Sequence, residues 1–249
     1  MSSHLGFGWI EEPASAKGNA LVGEILSFEP TLPERLDCTD FLDTISSQGG
    51  TESCVGHAGV RAIQRVMRIG LKIVGAELPS ALQGYDVARG ILGWRGLDMG
   101  STIDALFSGM QLAGFCRESA CPWDPSRVTD YLDADEYQAG LYQLGLLYHR
   151  LLVPDRTLIR HALAQGKGAV AGISVDESFR DWKGNGIWPG MLGPRLGGHA
   201  VCLWDYPRGD PRCVNSHGAS WGDAGLFTTS WEVIEQGTVY ILDAVPRWV

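Results

Sequence analysis

Gln48-Gly49-Gly50-Thr51-Glu52-Ser53-Cys54-Val55-Gly56-His57 is the stretch where the chain changes character. Beyond it, small and apolar residues recur at Val55, Gly59, Ala62, Ile63, Val66 and Gly70, a spacing of three and four that predicts an amphipathic helix running to about Val74 and stopped by Gly75. Ser53 is the expected N-cap, its hydroxyl accepting from a free amide of the first turn. Arg61, Arg65, Arg68 and Lys72 are expected to form a solvated stripe on the other side. Cys54 then falls in the first helical turn. Unpaired N–H groups and the positive end of the helix dipole favour a thiolate there, and the thiolate is the nucleophilic form of cysteine. Upstream, two glycines let the loop fold back on the helix start, so the Gln48 amide can donate to an oxyanion beside the backbone N–H of Cys54.

Working outward, residues 79–91, 101–113 and 155–165 also read as helices, the last two stopped by Gly114 and Gly166. After Gly168 the pattern becomes β. Residues 169–175, 199–206, 212–216, 225–229 and 238–244 are short runs separated by Gly, Pro and Asp turns. Helices first and strands second predict an α+β protein with a helical lobe and an antiparallel sheet lobe. A nucleophilic thiol needs a base. His199 follows Gly197 and Gly198 into a strand, where an imidazole is exposed at a lobe edge. Asn215 ends the next strand, and its amide oxygen can accept the imidazole N–H and fix the ring. His57, three residues after Cys54, reads as structural because one helix holds both side chains too close to act across a cleft. His217 is left open between lining the site and packing beside it.

Composition narrows the classes. At 249 residues the chain can bury a substantial core without staples. A net charge of −9 disfavours nucleic acid and anionic lipid as partners. The longest apolar stretch, residues 141–153, is short and carries His149 and Arg150, so no membrane span is expected. The N-terminus lacks a basic region followed by an apolar run, so no secretory signal is expected. The six cysteines are expected to be free thiols, with Cys116 and Cys121, which flank a short turn, left open to pairing or metal binding.

Taken in order, Gln48, Ser53-Cys54, Gly198-His199-Ala200-Val201 and Asn215-Ser216-His217-Gly218 followed by Trp221-Gly222 resemble the motifs of the papain-like cysteine peptidases, especially their shorter bacterial and phage-encoded members. The resemblance covers residues 32–249. It implies a papain-like two-lobe fold, with a helical left lobe, an antiparallel β-barrel-like right lobe and the active-site cleft between them. The implied organisation is an N-terminal extension at 1–32 and a peptidase domain at 33–249, its helical lobe at about 43–135 and its β lobe at about 150–249 plus 33–42. It further implies thiol-dependent hydrolysis of a peptide or isopeptide bond in a polypeptide substrate, without metal or cofactor. Cys54, His199, Asn215 and Gln48 would be catalytic. Gly100 in Asp98-Met99-Gly100 would line the non-primed side of the cleft, and Ile173, Gly198 and Ala200 would line the pocket for the side chain two residues before the scissile bond. His217 stands where the family has Trp, and Val55 where it has Trp after the nucleophile. The family's common disulfide cysteines are missing, with Thr51 at one of those positions. A long inhibitory pro-segment is not expected, since 32 residues are too few, and the resting site is expected to be a Cys54 thiolate beside a protonated His199. A cytoplasmic or virion-associated location is expected. The alternative is a structural or binding component of a larger assembly, such as a phage tail or baseplate, joined through residues 1–32.

Overall fold

The structure, a computed structural model, describes residues 5–12, 31–138, 141–142 and 144–246. Most of the extension, residues 1–4 and 13–30, lies outside the described residues. The first lobe holds α1 (Cys54–Arg65), continued by one π-helical turn at Val66–Gly70, then α2 (Ala81–Leu92), α3 (Ile103–Ala113) and the short α4 (Ala134–Gln138). The second lobe follows the order β1 (Leu144–Leu151), α5 (Arg156–Ala164), β2 (Gly168–Val175), α6 (Glu177–Arg180), β3 (Ile187–Trp188), β4 (Gly197–Asp205), β5 (Arg212–Val214), β6 (Leu226–Thr229), α7 (Trp231–Glu235) and β7 (Thr238–Pro246).

The caps are local. Ser80 accepts from the Gln83 N–H at 3.0 Å to start α2, and Thr102 accepts from the Ala105 N–H at 3.0 Å to start α3. Ser53 makes no such bond; its hydroxyl pairs at 2.7 Å with Thr51 instead. The first helix is short of its expected end at Val74, because the π-turn widens it and the chain leaves at Leu71. Gly56 and Gly59 let α1 approach its neighbours. A Cβ on Gly56 would stand 2.9 Å from the Ala81 carbonyl oxygen, and one on Gly59 would stand 2.0 Å from a Leu106 methyl.

One seven-stranded sheet runs in the order β1-β7-β2-β4-β5-β6-β3, antiparallel throughout except for β3 beside β6. Alternation along the central strands serves two cores. Val170, Cys202, Trp204, Tyr240 and Leu242 face α1 and the helical lobe. Ala171, Ile173, Val201, Leu203, Val239 and Ile241 face the opposite side, where α5, α6 and α7 cover the sheet. The apolar run at 141–153, too short to cross a membrane, instead holds β1, which pairs with β7.

The arginine stripe is corrected in part. Arg61 and Arg65 are buried, 3% and 0% exposed, Arg61 bonded to Gln64 and the Thr44 carbonyl and Arg65 to the sheet lobe, whereas Arg68 is part-exposed and Lys72 exposed, as the stripe expected. Arg65 donates to the carbonyls of Trp204 (2.7 Å), Leu163 (2.8 Å) and Lys167, and reaches the Cys38 sulfur. It ties α1 to β4 and to the end of α5 through charge-assisted bonds to three carbonyls. Arg65→Met is expected to cost about 4 kcal/mol, since it removes all three of these bonds at once. Urea unfolding measures this, and a loss below about 1 kcal/mol would show the bonds to be dispensable.

Candidate active site

Cys54 heads α1 and is fully buried. Backbone N–H groups of Ala200, Gly8 and Val55 point at its sulfur. The Ala200 contact sets the helix start against β4, one residue after His199. His199 is itself buried, and its Nε2–H donates to the Asn215 Oδ1 at 2.7 Å, which also accepts the Ser216 N–H at 2.8 Å. The second bond fixes which end of the amide faces the imidazole. His199 Nδ1 has no hydrogen-bond partner among the described residues.

Asn215 also carries the residue that was left open. Its Nδ2–H donates to His217 Nδ1 at 3.1 Å, and the two imidazoles stack with centroids 4.9 Å apart at 31°. His217 therefore lies within the site. Gln48 is held on both sides: its Oε1 accepts from the Ser216 hydroxyl, and its Nε2 donates to the carbonyls of Thr51 (2.6 Å) and Gly6 (3.2 Å). His57 is buried on α1, with Nδ1 3.1 Å from the Ser46 hydroxyl and its ring edge-on to Trp123. Burial lowers its pKa to about 3. Among the described residues no group of three or more His, Cys, Asp or Glu could hold a metal.

These groups are covered by part of the N-terminal extension, which reads in the sequence as a segment that drapes over the body or pairs as an edge strand. Residues 5–12 run through the cleft. The Trp9 N–H donates to the Gly198 carbonyl at 3.1 Å, the Ile10 N–H to Ser101 at 3.0 Å, and the Ser101 N–H to Gly8 at 2.9 Å, so the strap is bonded to both lobes. Phe7 sits edge-on to His199 (5.5 Å) and near His217 (5.8 Å). Trp9 packs against the bare backbone of Gly172, where a Cβ would stand 2.2 Å from the indole, at the mouth of a cavity of about 240 Å³ shared with Ile173, Trp188 and Thr238. Beyond Trp9, the Glu12 carboxylate accepts the N–H groups of Ile103 (2.7 Å) and Asp104 (3.1 Å), adding a cap to α3. Desolvation in that position raises its pKa.

The residues assigned to substrate all meet this strap or its frame. Gly100, at φ +82°, lies so close to Gly8 that a Cβ would stand 2.1 Å from the Gly8 oxygen. Gly198 bonds Trp9, Ala200 bonds the thiol, and Ile173 lines the Trp9 cavity. The neighbouring Asp98 is structural, accepting from the Glu52 N–H at 3.0 Å and the Tyr85 hydroxyl at 2.7 Å.

The cleft is covered by eight residues of the extension, 5–12, without any long pro-segment among the described residues. In this closed arrangement burial pushes the Cys54 thiol up to about 12 and the His199 imidazole down to about 4, which favours the neutral pair over the thiolate and imidazolium expected from the sequence. His217 falls further, to about 2, through burial and the neighbouring His199.

Neither a family model nor a curated protein matches the chain. Solved structures do. It is similar to xylellain, a cysteine protease from Xylella fastidiosa, at 24% identity and a TM-score of 0.77 over 98% of this chain and 97% of that one. Digestive procathepsin L2 from Tenebrio molitor larval midgut matches at 20% identity and 0.75, over 96% of this chain and 78% of that one. Bromelain from Ananas comosus in complex with the E64 inhibitor matches at 20% identity and 0.67, over 84% of this chain and 98% of that one. The chain has the fold of the papain-like cysteine proteases, with a helical lobe and a sheet lobe.

Proposed function

We propose that this chain is a cysteine-type peptidase whose cleft is closed by its own residues 5–12. The observation that carries the reading is the thiol at the head of α1, facing the N–H of Ala200, the residue that follows the imidazole anchored by Asn215 at 2.7 Å. Once the strap leaves, water returns to both groups. The helix start then favours the Cys54 thiolate, and His199 holds the proton. Cys54 attacks the scissile carbonyl, and Gln48 Nε2 with the Cys54 N–H stabilises the oxyanion. His199 gives its proton to the leaving amine, then takes one from the water that releases the acyl group. Ser216 keeps the Gln48 amide turned so that its NH2 faces the reaction, and in the closed state the Gly6 carbonyl occupies that donor.

The direction of the strap explains why it survives there. It enters beside Gln48 and His217 at Gly6 and leaves past Gly198 and Ser101 at Trp9 and Ile10. By the resemblance, a substrate places its N-terminal part beside Gly100. The strap runs the other way and presents its peptide bonds to Cys54 with reversed polarity. Trp9 fills the pocket assigned to the side chain two residues before the scissile bond, so that pocket takes large aromatic groups. The test is hydrolysis of peptides with an aromatic residue at that position. Cys54→Ala and His199→Ala are each expected to lower kcat/KM at least a thousandfold, and equal hydrolysis by either variant and the wild type would refute the mechanism.

A further inference from the structure

Cys116 and Cys121 are buried at 0% and 1%, five residues apart, and lie outside the cleft. With Leu82 and Leu132 they form a small apolar cluster of their own, apart from the two main cores. The turn between them is closed by the Cys121 and Ala120 N–H groups, which both donate to the Arg117 carbonyl, at 3.2 and 3.0 Å. Ser80 then fastens both ends. Its N–H donates to the Cys116 carbonyl at 3.0 Å, and its hydroxyl donates to the Cys121 carbonyl at 2.6 Å. Two cysteines whose carbonyls are bonded to one residue are confined to neighbouring positions, and their side chains pack in one cluster, close enough to influence each other's protonation. The arrangement is unequal. The neighbouring Cys116 and Ser80 side chains favour the Cys121 thiolate, so Cys121 gives up its proton more easily than an ordinary cysteine. Its chain neighbours Ala120 and Pro122 are exposed, so its sulfur lies just beneath a surface turn.

We propose that Cys116 and Cys121 form a redox-active dithiol that closes to a disulfide by exchange with a small-molecule disulfide of the glutathione class. The Cys121 thiolate attacks one sulfur of glutathione disulfide, forming a mixed disulfide and releasing one glutathione thiolate, which takes up the proton Cys121 gave away. Cys116 loses its proton and attacks the Cys121 sulfur. The new S–S bond forms as the bond to glutathione breaks, and the second glutathione leaves with the Cys116 proton. Two protein S–H groups are oxidised, and one glutathione disulfide is reduced to two thiols. Closure locks the turn onto Ser80, the N-cap of α2. It also fixes Glu118 inside the loop, whose carboxylate accepts the N–H groups of Ala81 (3.2 Å) and Trp123 (2.6 Å). Trp123 is the ring that packs on His57 of α1, so the clamp stiffens the lobe that carries the nucleophile. The inference does not depend on the peptidase reading.

The full chain carrying Cys54→Ala, incubated folded with glutathione disulfide, tests it. Intact mass should fall by two hydrogens, and peptide mapping should place the cross-link between Cys116 and Cys121. The thermal midpoint should rise by about 5 °C, as closing a loop of this size predicts. Reduced glutathione should reverse all three. Cys116→Ser in the same background should lose the cross-link and keep the midpoint of the reduced protein. An unchanged mass, a mixed disulfide that persists on Cys121, or a cross-link mapped to other cysteines would each overturn the proposal; the mapping in the parent needs no second variant to fold.

Discussion

Gly8→Val is expected to open the cleft and raise the rate at which Cys54 is alkylated by iodoacetamide about a hundredfold at pH 7. The reason is steric. A Cβ on Gly8 would stand 1.9 Å from the Glu52 carbonyl oxygen and 2.5 Å from its carbon, and both belong to the backbone just before α1. That backbone cannot yield, because the Glu52 N–H is bonded to Asp98 and Ser53 leads directly into the buried helix. The strap has to leave instead. Overpacking of this kind costs about 1–3 kcal/mol, which is about fivefold to 150-fold in the closed-to-open ratio. Opening also removes the burial that keeps the thiol protonated, so access and reactivity rise together. An alkylation rate equal to that of the wild type, in a variant with unchanged thermal stability, would mean that the strap does not shield the thiol.

Acid should open the cleft as well. Closure keeps His199 and His217 neutral, with pKa values lowered to about 4 and about 2. Exposed imidazoles titrate near 6.5. The open state therefore binds more protons below about pH 6.5, so closure is strongest above that pH and weakens as the pH falls toward 4. At pH 5 each imidazole favours opening by up to about thirtyfold, and mutual repulsion makes the pair worth less than the product. Glu12 acts in the opposite sense. Its raised pKa means that the protonated carboxyl docks more easily, so acid strengthens that anchor while it loosens the cleft. The other groups near His217 (Phe7, Phe179 and Trp221) do not titrate, and His57 already stays neutral. Hydrogen exchange reads the balance. Protection of the Trp9 and Ile10 amides, corrected for intrinsic rates, is expected to fall between tenfold and a few hundredfold from pH 7 to pH 5. Protection that stays constant or rises would show that Glu12, and not the imidazole pair, governs closure.

The chemistry-bearing positions were legible because each is announced by its neighbours. Cys54 follows a loop turn and starts a strongly periodic helix. His199 and Asn215 stand at the edges of β-rich runs, and two glycines precede the histidine. What stayed hidden depends on contacts far apart in the chain. Charge periodicity assigned Arg65 to water, and nothing local reveals that three carbonyls from the sheet lobe would receive it. Strand β1 reads as an apolar run whose partner, β7, lies about a hundred residues further on. That the N-terminal extension drapes over the body is legible, but its place in the cleft is not. Gly6-Phe7-Gly8-Trp9 has no helix or strand periodicity, since its conformation is set by the cleft it fills. The signal was there in chemical form: glycines where the backbone must pass close to Thr51 and Glu52, alternating with aromatics that need pockets. His217 could be placed only once Asn215 was seen to hold both imidazoles.

A cysteine nucleophile freed from its own strap is the claim on which the rest depends. Mass spectrometry after incubation with an epoxysuccinyl inhibitor, under reduction at neutral pH, addresses it directly. The wild type should label slowly, Gly8→Val quickly and with one adduct per chain on Cys54, and Gly8→Val combined with His199→Ala at a rate at least a hundredfold lower. Adducts on Cys38, Cys202 or Cys213 in place of Cys54, or labelling of Gly8→Val that is indifferent to His199, would contradict it.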